Sequence, residues 1–199
     1  MAVSDYKSLA QVQQQFQVKY REEQFILVQS LEVSQSFLAE FNFSKEHLDW
    51  SASEAARCEI IIFPILREVY KRYSKHCALW VQKPFSYDEN LTGTPDYLFT
   101  TKSPLGKTVW GIPLLVIIEA KRNDFEPGWG PCLAELIAAP KINQDPSRLV
   151  YGIVTDGNWW QFGKLGEDTF VKQRDNYTID ELGRLFGAID FVLQSCEVE

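Results

Sequence analysis

The chain is poor in histidine, in clustered cysteine and in positive charge, and each shortage excludes a class of function. Its 199 residues include only two histidines, His47 and His76. The four cysteines are Cys58, Cys77, Cys132 and Cys196, and no two form a C-x-x-C pair. That spacing argues against a structural zinc site, and all four read as buried, inert thiols. His76 and Cys77 are adjacent, but no signature of a thiol nucleophile surrounds them. No apolar run approaches the roughly 18 residues that span a bilayer, so no membrane partner is expected. The first residues lack a basic stretch followed by an apolar one, which makes a secretory signal unexpected and the cytoplasm the default compartment. Twenty Lys and Arg face 27 Asp and Glu, a net charge of −7. Such a balance works against a broad grip on phosphates. Locally the charge reverses, at Lys71, Arg72, Lys75 and Lys83 and again at Lys121-Arg122. The apolar fraction of 45% and charged fraction of 24% are those of a globular chain. The length suits one domain, residues 1–199, with one sizeable core.

Two short motifs carry the chemistry. The first is Gly93-Thr94-Pro95-Asp96-Tyr97. The second is an apolar, β-branched run, Leu114-Leu115-Val116-Ile117-Ile118, that ends in Glu119-Ala120-Lys121. Side chains alternate along a strand, so Glu119 and Lys121 project from one face. Asp96 follows a proline turn at the start of another β-rich segment. Two carboxylates and a lysine on neighbouring strands suit a hydrolytic site with a hard divalent cation. The alternative reading of the same residues is a strand-end ion pair, Glu119 with Lys121, beside a turn aspartate.

Pro95-Asp96 followed by Glu119-Ala120-Lys121 resembles the PD-(D/E)xK nuclease superfamily. Two further segments extend the likeness. Ser53-Glu54-Ala55-Ala56-Arg57, leading into Ile62-Phe63-Pro64-Ile65-Leu66, looks like the opening helix of the N-terminal nuclease domain of type I restriction R subunits. Gly152-Ile153-Val154-Thr155-Asp156-Gly157, then Trp159-Trp160-Gln161-Phe162, resembles the strand and hairpin that follow the active site there. The likeness runs over roughly residues 50 to 165, in order. It implies an α/β, restriction-endonuclease-like fold: a mixed β-sheet flanked by helices. Residues 1–50 would be a helical extension, 51–165 the nuclease core and 166–199 a closing strand and helix. It implies magnesium, with manganese as a substitute, held by Asp96, Glu119 and the carbonyl of Ala120. Lys121 would handle the water or the scissile phosphate, and Glu54, with Glu59 as its substitute, would be the helix acid. The implied substrate is DNA, with RNA still open, and the implied assembly is a homodimer or a larger restriction or repair complex. The 199 residues carry no motor segment of the larger subunits, which leaves the biological role open. The rival class is a non-catalytic module that binds nucleic acid or protein on a degenerate nuclease fold.

Element signals agree with a mixed sheet. Residues 5–50 read as helical and rather polar, with the glutamine-rich stretch Gln11–Val18 as a packed helix or short strand and Leu31–Phe41 as a second helix. Ser53 is a candidate N-cap for a helix running to Tyr73 with a kink or break at Pro64. In its first turn Glu54 also complements the helix dipole, a benign role that competes with the catalytic one. Strands are expected at Cys77–Phe85, Asp96–Thr101, Trp110–Lys121 and Leu149–Thr155, with an Asp156-Gly157 hairpin into residues 158–162. Pro131 suits the first position of a helix that Pro140 stops. On that helix Glu135 reads as an exposed glutamate, or, as the resemblance implies, as a polar residue facing the site. Asp124 and Glu126 read as loop residues near the rim. Thr178 and Glu181 form a capping-box pattern before the last helix. Trp129, Trp159 and Trp160 read as packing residues rather than base-stacking ones. Gly106-Lys107-Thr108 imitates a P-loop end but lacks its first glycine and leads into a strand.

Overall fold

The computed structural model describes residues 3–27, 29–121 and 125–194. Arg122, Asp124 and Cys196 lie outside them. One eight-stranded sheet organises the chain. Its main strands are β1 (Lys19–Glu23), β2 (Cys77–Val81), β5 (Tyr97–Lys102), β6 (Trp110–Ala120), β7 (Val150–Thr155), β8 (Trp159–Gly166) and β9 (Thr169–Gln173). The short β10 (Tyr177–Thr178) pairs with β8, and β3 (Phe85–Ser86) with β4 (Thr92–Gly93) makes a separate hairpin. The order across the sheet is β1-β9-β8-β7-β6-β5-β2. Only β1 with β9 and β6 with β7 are parallel; the other pairs are antiparallel.

Helices cover both faces, and the apolar side chains divide accordingly. On one face lie α2 (Gln35–His47), α4 (Phe63–Tyr73) and α6 (Leu182–Leu193), packed on Tyr97, Phe99, Ile118 and Phe162. On the other lie α1 (Leu9–Phe16) and α5 (Phe125–Asn143), packed on Leu98, Ile117 and Val154. The alternation of β6 explains the split: Val116, Ile118 and Ala120 serve the first cluster, Ile117 the second. A register shift between Phe99 and Thr100 leaves Leu115 as an extra residue, so Leu115 and Val116 both serve the first cluster. Glu119 and Lys121 therefore fall on the α5 face. No helix among the described residues is long and apolar enough to cross a membrane.

Several expectations are corrected. The segment before residue 50 is not only helical: Lys19–Glu23 is an exposed, charged edge strand. The helix that begins at Ser53 does not simply kink. It opens as α3 (Glu54–Arg57), capped by Ser53, whose Oγ accepts from the Ala56 N–H at 3.0 Å. It then widens into a π turn over Cys58–Ile62 before α4. Pro64 cannot donate to the carbonyl four residues back, and the wide turn absorbs that loss just upstream of it. Helix α5 starts at Phe125, not Pro131, and continues through Pro140 to Asn143. Its far end is fastened by Asn143, whose amide exchanges two hydrogen bonds with the backbone of Leu114, at 2.7 and 3.0 Å. Those bonds and its buried face outweigh the bonds the two prolines omit. The Thr178 capping box does not form, because Thr178 pairs with Trp159 in β10 and its side chain makes no cap. Cys77 is disulfide-bonded, which corrects its reading as a free thiol, while Cys58 and Cys132 are free.

Candidate active site

Asp96 and Glu119 are separated by 23 residues in sequence but meet at one end of the sheet. Tyr97 pairs with Ile118 across the β5–β6 ladder, so the residues just beyond each are neighbours. Asp96 extends the ladder with its side chain: its Oδ2 accepts from the Ala120 N–H at 2.8 Å. Its backbone carbonyl accepts from Gln82, which ties in the end of β2. Asp96 is half-buried, and Glu119 is 5% exposed.

Lys121 stands one side-chain repeat along from Glu119. Its Nζ donates to Glu119 Oε2 at 2.8 Å. Its own backbone N–H donates to the Thr155 carbonyl, so β7 holds the strand end in place. Burial disfavours the Lys121 charge, but Glu119, Asp96 and Glu54 outweigh it and hold its pKa above the ordinary value. Burial raises the pKa of Asp96, against the Ala120 hydrogen bond and Lys121. It raises that of Glu119 as well, opposed by Lys121 and reinforced by Asp96. Ala120 is buried between the two and takes part through its N–H.

Of the two readings of Glu135, the exposed one is corrected, and the residue lines the same cavity as Asp96, Glu119 and Lys121. It is 1% exposed, and α5 aims it at Glu119, to whose carboxyl it is hydrogen-bonded. Burial, then the charge of Glu119, push its pKa well above the carboxylate range. Their hydrogen bond raises the pKa of Glu135 and lowers that of Glu119. The Oε2 of Glu135 is buried without a hydrogen-bond partner in the protein. A helical spacing alone could not reveal this. The signal that could was the wholly apolar surroundings of Glu135, Cys132-Leu133-Ala134 before it and Leu136-Ile137-Ala138 after, which leave no polar face for it to share.

Two glycines make room. A Cβ at Gly93, in β4, would lie 2.5 Å from Glu135 Oε1. A Cβ at Gly128, in α5, would lie 2.8 Å from Lys121 Cγ.

Asp96 joins two cavities. One, about 580 Å³, contains Asp96, Glu119, Lys121 and Glu135. The other, about 370 Å³, contains Glu54, Glu59, Cys58 and Asp96. Glu54 is exposed at the start of α3, and its charge acts on Lys121, whereas that of Glu59 acts on Tyr97. Both line the cavity with Asp96, and Glu54 is the one whose charge acts on Lys121. Helix α3 is oriented by Arg57, whose Nη1 donates to the Asp156 carbonyl at 2.8 Å and whose guanidinium lies over Trp50. Cys58 beside them is no nucleophile, since burial and then Asp96 push its thiol up to about 11.

Trp129 and Trp160 are core residues, with indole N–H groups donating to Gln161 Oε1 and the Gly157 carbonyl; Trp159 is 46% exposed. Glu126 falls in the first turn of α5 rather than in a loop.

Among the described residues no group of three or more His, Cys, Asp or Glu side chains is arranged to hold a metal ion. The donors that converge are Asp96 and Glu119, with the unpartnered Oε2 of Glu135 behind them. A hard cation that keeps most of its water needs only one or two carboxylates, so this set fits magnesium and not zinc. No protein-family model matches the chain, nor does any curated protein or solved structure.

Proposed function

We propose that the chain is a magnesium-dependent nuclease of the PD-(D/E)xK type, with a restriction-endonuclease-like fold, that hydrolyses phosphodiester bonds in DNA. The observation that carries this reading is the meeting of Asp96, Glu119 and Lys121 at one sheet end, on adjacent strands, inside an open cavity. Their sequence pattern and their spatial pattern name the same site. The acid excess supports it too. Asp96 and Glu119 are ionised at neutral pH only at a cost, with Lys121 as their one nearby counter-charge in that wall among the described residues. A cation offsets that cost.

In this reading Asp96 and Glu119 hold magnesium, which supplies Lewis acidity toward a phosphate oxygen and a water of lowered pKa. Lys121, held cationic by its acidic neighbours, orients the attacking water or the scissile phosphate by hydrogen bonding. Glu135 keeps Glu119 in place through their hydrogen bond. Glu54 completes the acidic rim from the other cavity. The family role assigned to the Ala120 carbonyl belongs to the same proposal.

The second reading is a non-catalytic binding module, and the 2.8 Å Glu119–Lys121 pair favours it, because that pair occupies both groups. One experiment separates the two. Purified protein is incubated with DNA and with RNA in magnesium, in manganese and in EDTA. Cleavage that needs the metal and is lost in Asp96→Asn, Glu119→Gln and Lys121→Ala supports the nuclease. Cleavage that survives all three removes this site assignment, and binding without any cleavage favours the module.

A further inference from the structure

The cavity that holds Asp96, Glu119 and Lys121 is closed on one side by the N-terminal segment, Val3 to Lys7. That segment lies outside the region of motif likeness, so nothing in the sequence pattern assigns it a role at the site. It is a built wall and not a loose tail. Val3 and Tyr6 are 3% and 2% exposed and belong to the apolar cluster beneath α5. Gly93 lets Val3 approach, since a Cβ there would lie 2.6 Å from Val3 Cγ2. The α1 cap fixes the backbone that follows: Ser8 is its N-cap, and the Lys7 N–H donates to Gln11 Oε1 at 2.7 Å.

Lys7 is the one cation besides Lys121 among the described residues lining this cavity. Its ammonium donates to the Ser4 carbonyl at 2.8 Å and makes no ion pair with another described residue. One neutral acceptor leaves two of its three donors for a ligand. The walls otherwise present the carboxylates of Asp96 and Glu119, a field that repels a polyanion. Lys121 is committed to Glu119, so a strand entering here needs a counter-charge on the opposite wall. We propose that Lys7 is a substrate-binding residue that grips a phosphate of the nucleic-acid strand next to the one cleaved. The inference rests on the phosphodiester reading above and adds a second subsite to it.

The test compares the full-length parent with Lys7→Ala and Lys7→Arg. The parent is first assayed with magnesium on bis(p-nitrophenyl) phosphate and on a DNA oligonucleotide. For Lys7→Ala the oligonucleotide KM should rise roughly tenfold, with the loss carried by KM more than by kcat. The slope of log affinity against log salt on duplex DNA should fall by about 0.9, the loss of one phosphate contact. Lys7→Arg should restore most of both, and thermal melts of the three proteins should coincide. An unchanged KM and salt slope in Lys7→Ala, with an active parent, overturns the proposal and leaves the nuclease reading standing. A lower melting temperature with an unchanged salt slope also overturns it, since that outcome makes Lys7 structural. A parent inactive on both diesters overturns the nuclease reading, and the subsite with it.

Discussion

Glu135, from the middle of α5, is hydrogen-bonded to Glu119 at the end of β6, and the two residues are only 1% and 5% exposed. Burial and the repulsion of neighbouring carboxylates favour the protonated form of both acids. They also fix how stability should depend on pH.

Burial and Glu119 raise the Glu135 pKa well above 4.5 in the folded protein. The folded state therefore holds a proton that the unfolded chain has released. That contribution is full at acidic pH, below the unfolded value, and is lost as pH rises through the folded value. Asp96 and Glu119 are raised as well and act with the same sign. In EDTA the parent should lose stability from pH 5 toward pH 9. Glu135→Gln keeps a neutral hydrogen-bond donor and should flatten that slope without lowering stability at pH 7. Urea melts across the range measure it, and parallel profiles for parent and variant would remove Glu135 as the buried acid.

Asp96→Asn tests the cation. The amide oxygen of asparagine can still accept from the Ala120 N–H, so the variant should be as stable as the parent without metal. A metal that binds only the folded parent should stabilise it by about 2.7 kcal/mol at a hundredfold excess over Kd. That gain should vanish in Asp96→Asn. Melting temperatures with EDTA and with magnesium, at fixed ionic strength, decide between outcomes. A less stable apo variant and a parent indifferent to magnesium would make Asp96 a structural aspartate.

Gly128→Ala should separate activity from fold. Alanine favours the helix by roughly 0.5–1 kcal/mol, while overpacking costs typically 1–3 kcal/mol. The new methyl would meet Val154 Cγ1 at 2.7 Å and Lys121 Cγ at 2.8 Å. Lys121 is the more mobile of the two, so it should swing away from Glu119. We expect a modest loss of stability and a loss of cleavage of at least tenfold, close to that of Lys121→Ala. Cleavage at parental rate would show that the lysine position is not critical.

Glu54→Gln distinguishes the acidic rim from a helix-end charge. Ser53, not Glu54, caps α3, so the stability cost should be no more than the dipole effect of about 0.3–1 kcal/mol. If Glu54 acts on the site through the field it exerts on Lys121, manganese affinity or cleavage rate should fall. Titration calorimetry beside a thermal melt separates these. A weaker fold with unaltered manganese binding would leave Glu54 only its local role.

The sequence by itself determined the local order of this protein and the identity of the groups proposed to react. The β-branched run Leu114–Ile118, the proline turn before Asp96 and the Asp156-Gly157 hairpin are local signals, and each has its strand or turn. Alternation within one strand was enough to put Glu119 and Lys121 on one face, as their 2.8 Å pair shows. Tertiary structure decided everything that depends on distant partners. Pro140 reads as a stop, yet α5 runs on because Asn143 finds the backbone of Leu114 across the sheet. The charged segment Lys19–Glu23 carries no apolar pattern, and becomes a strand only because β9 lies beside it. Glu135 and Lys7 carry no motif at all. They reach the cavity because α5 covers that face of the sheet and the N-terminal segment packs beneath it. Their place is set by packing across long stretches of chain, which periodicity within one element does not record.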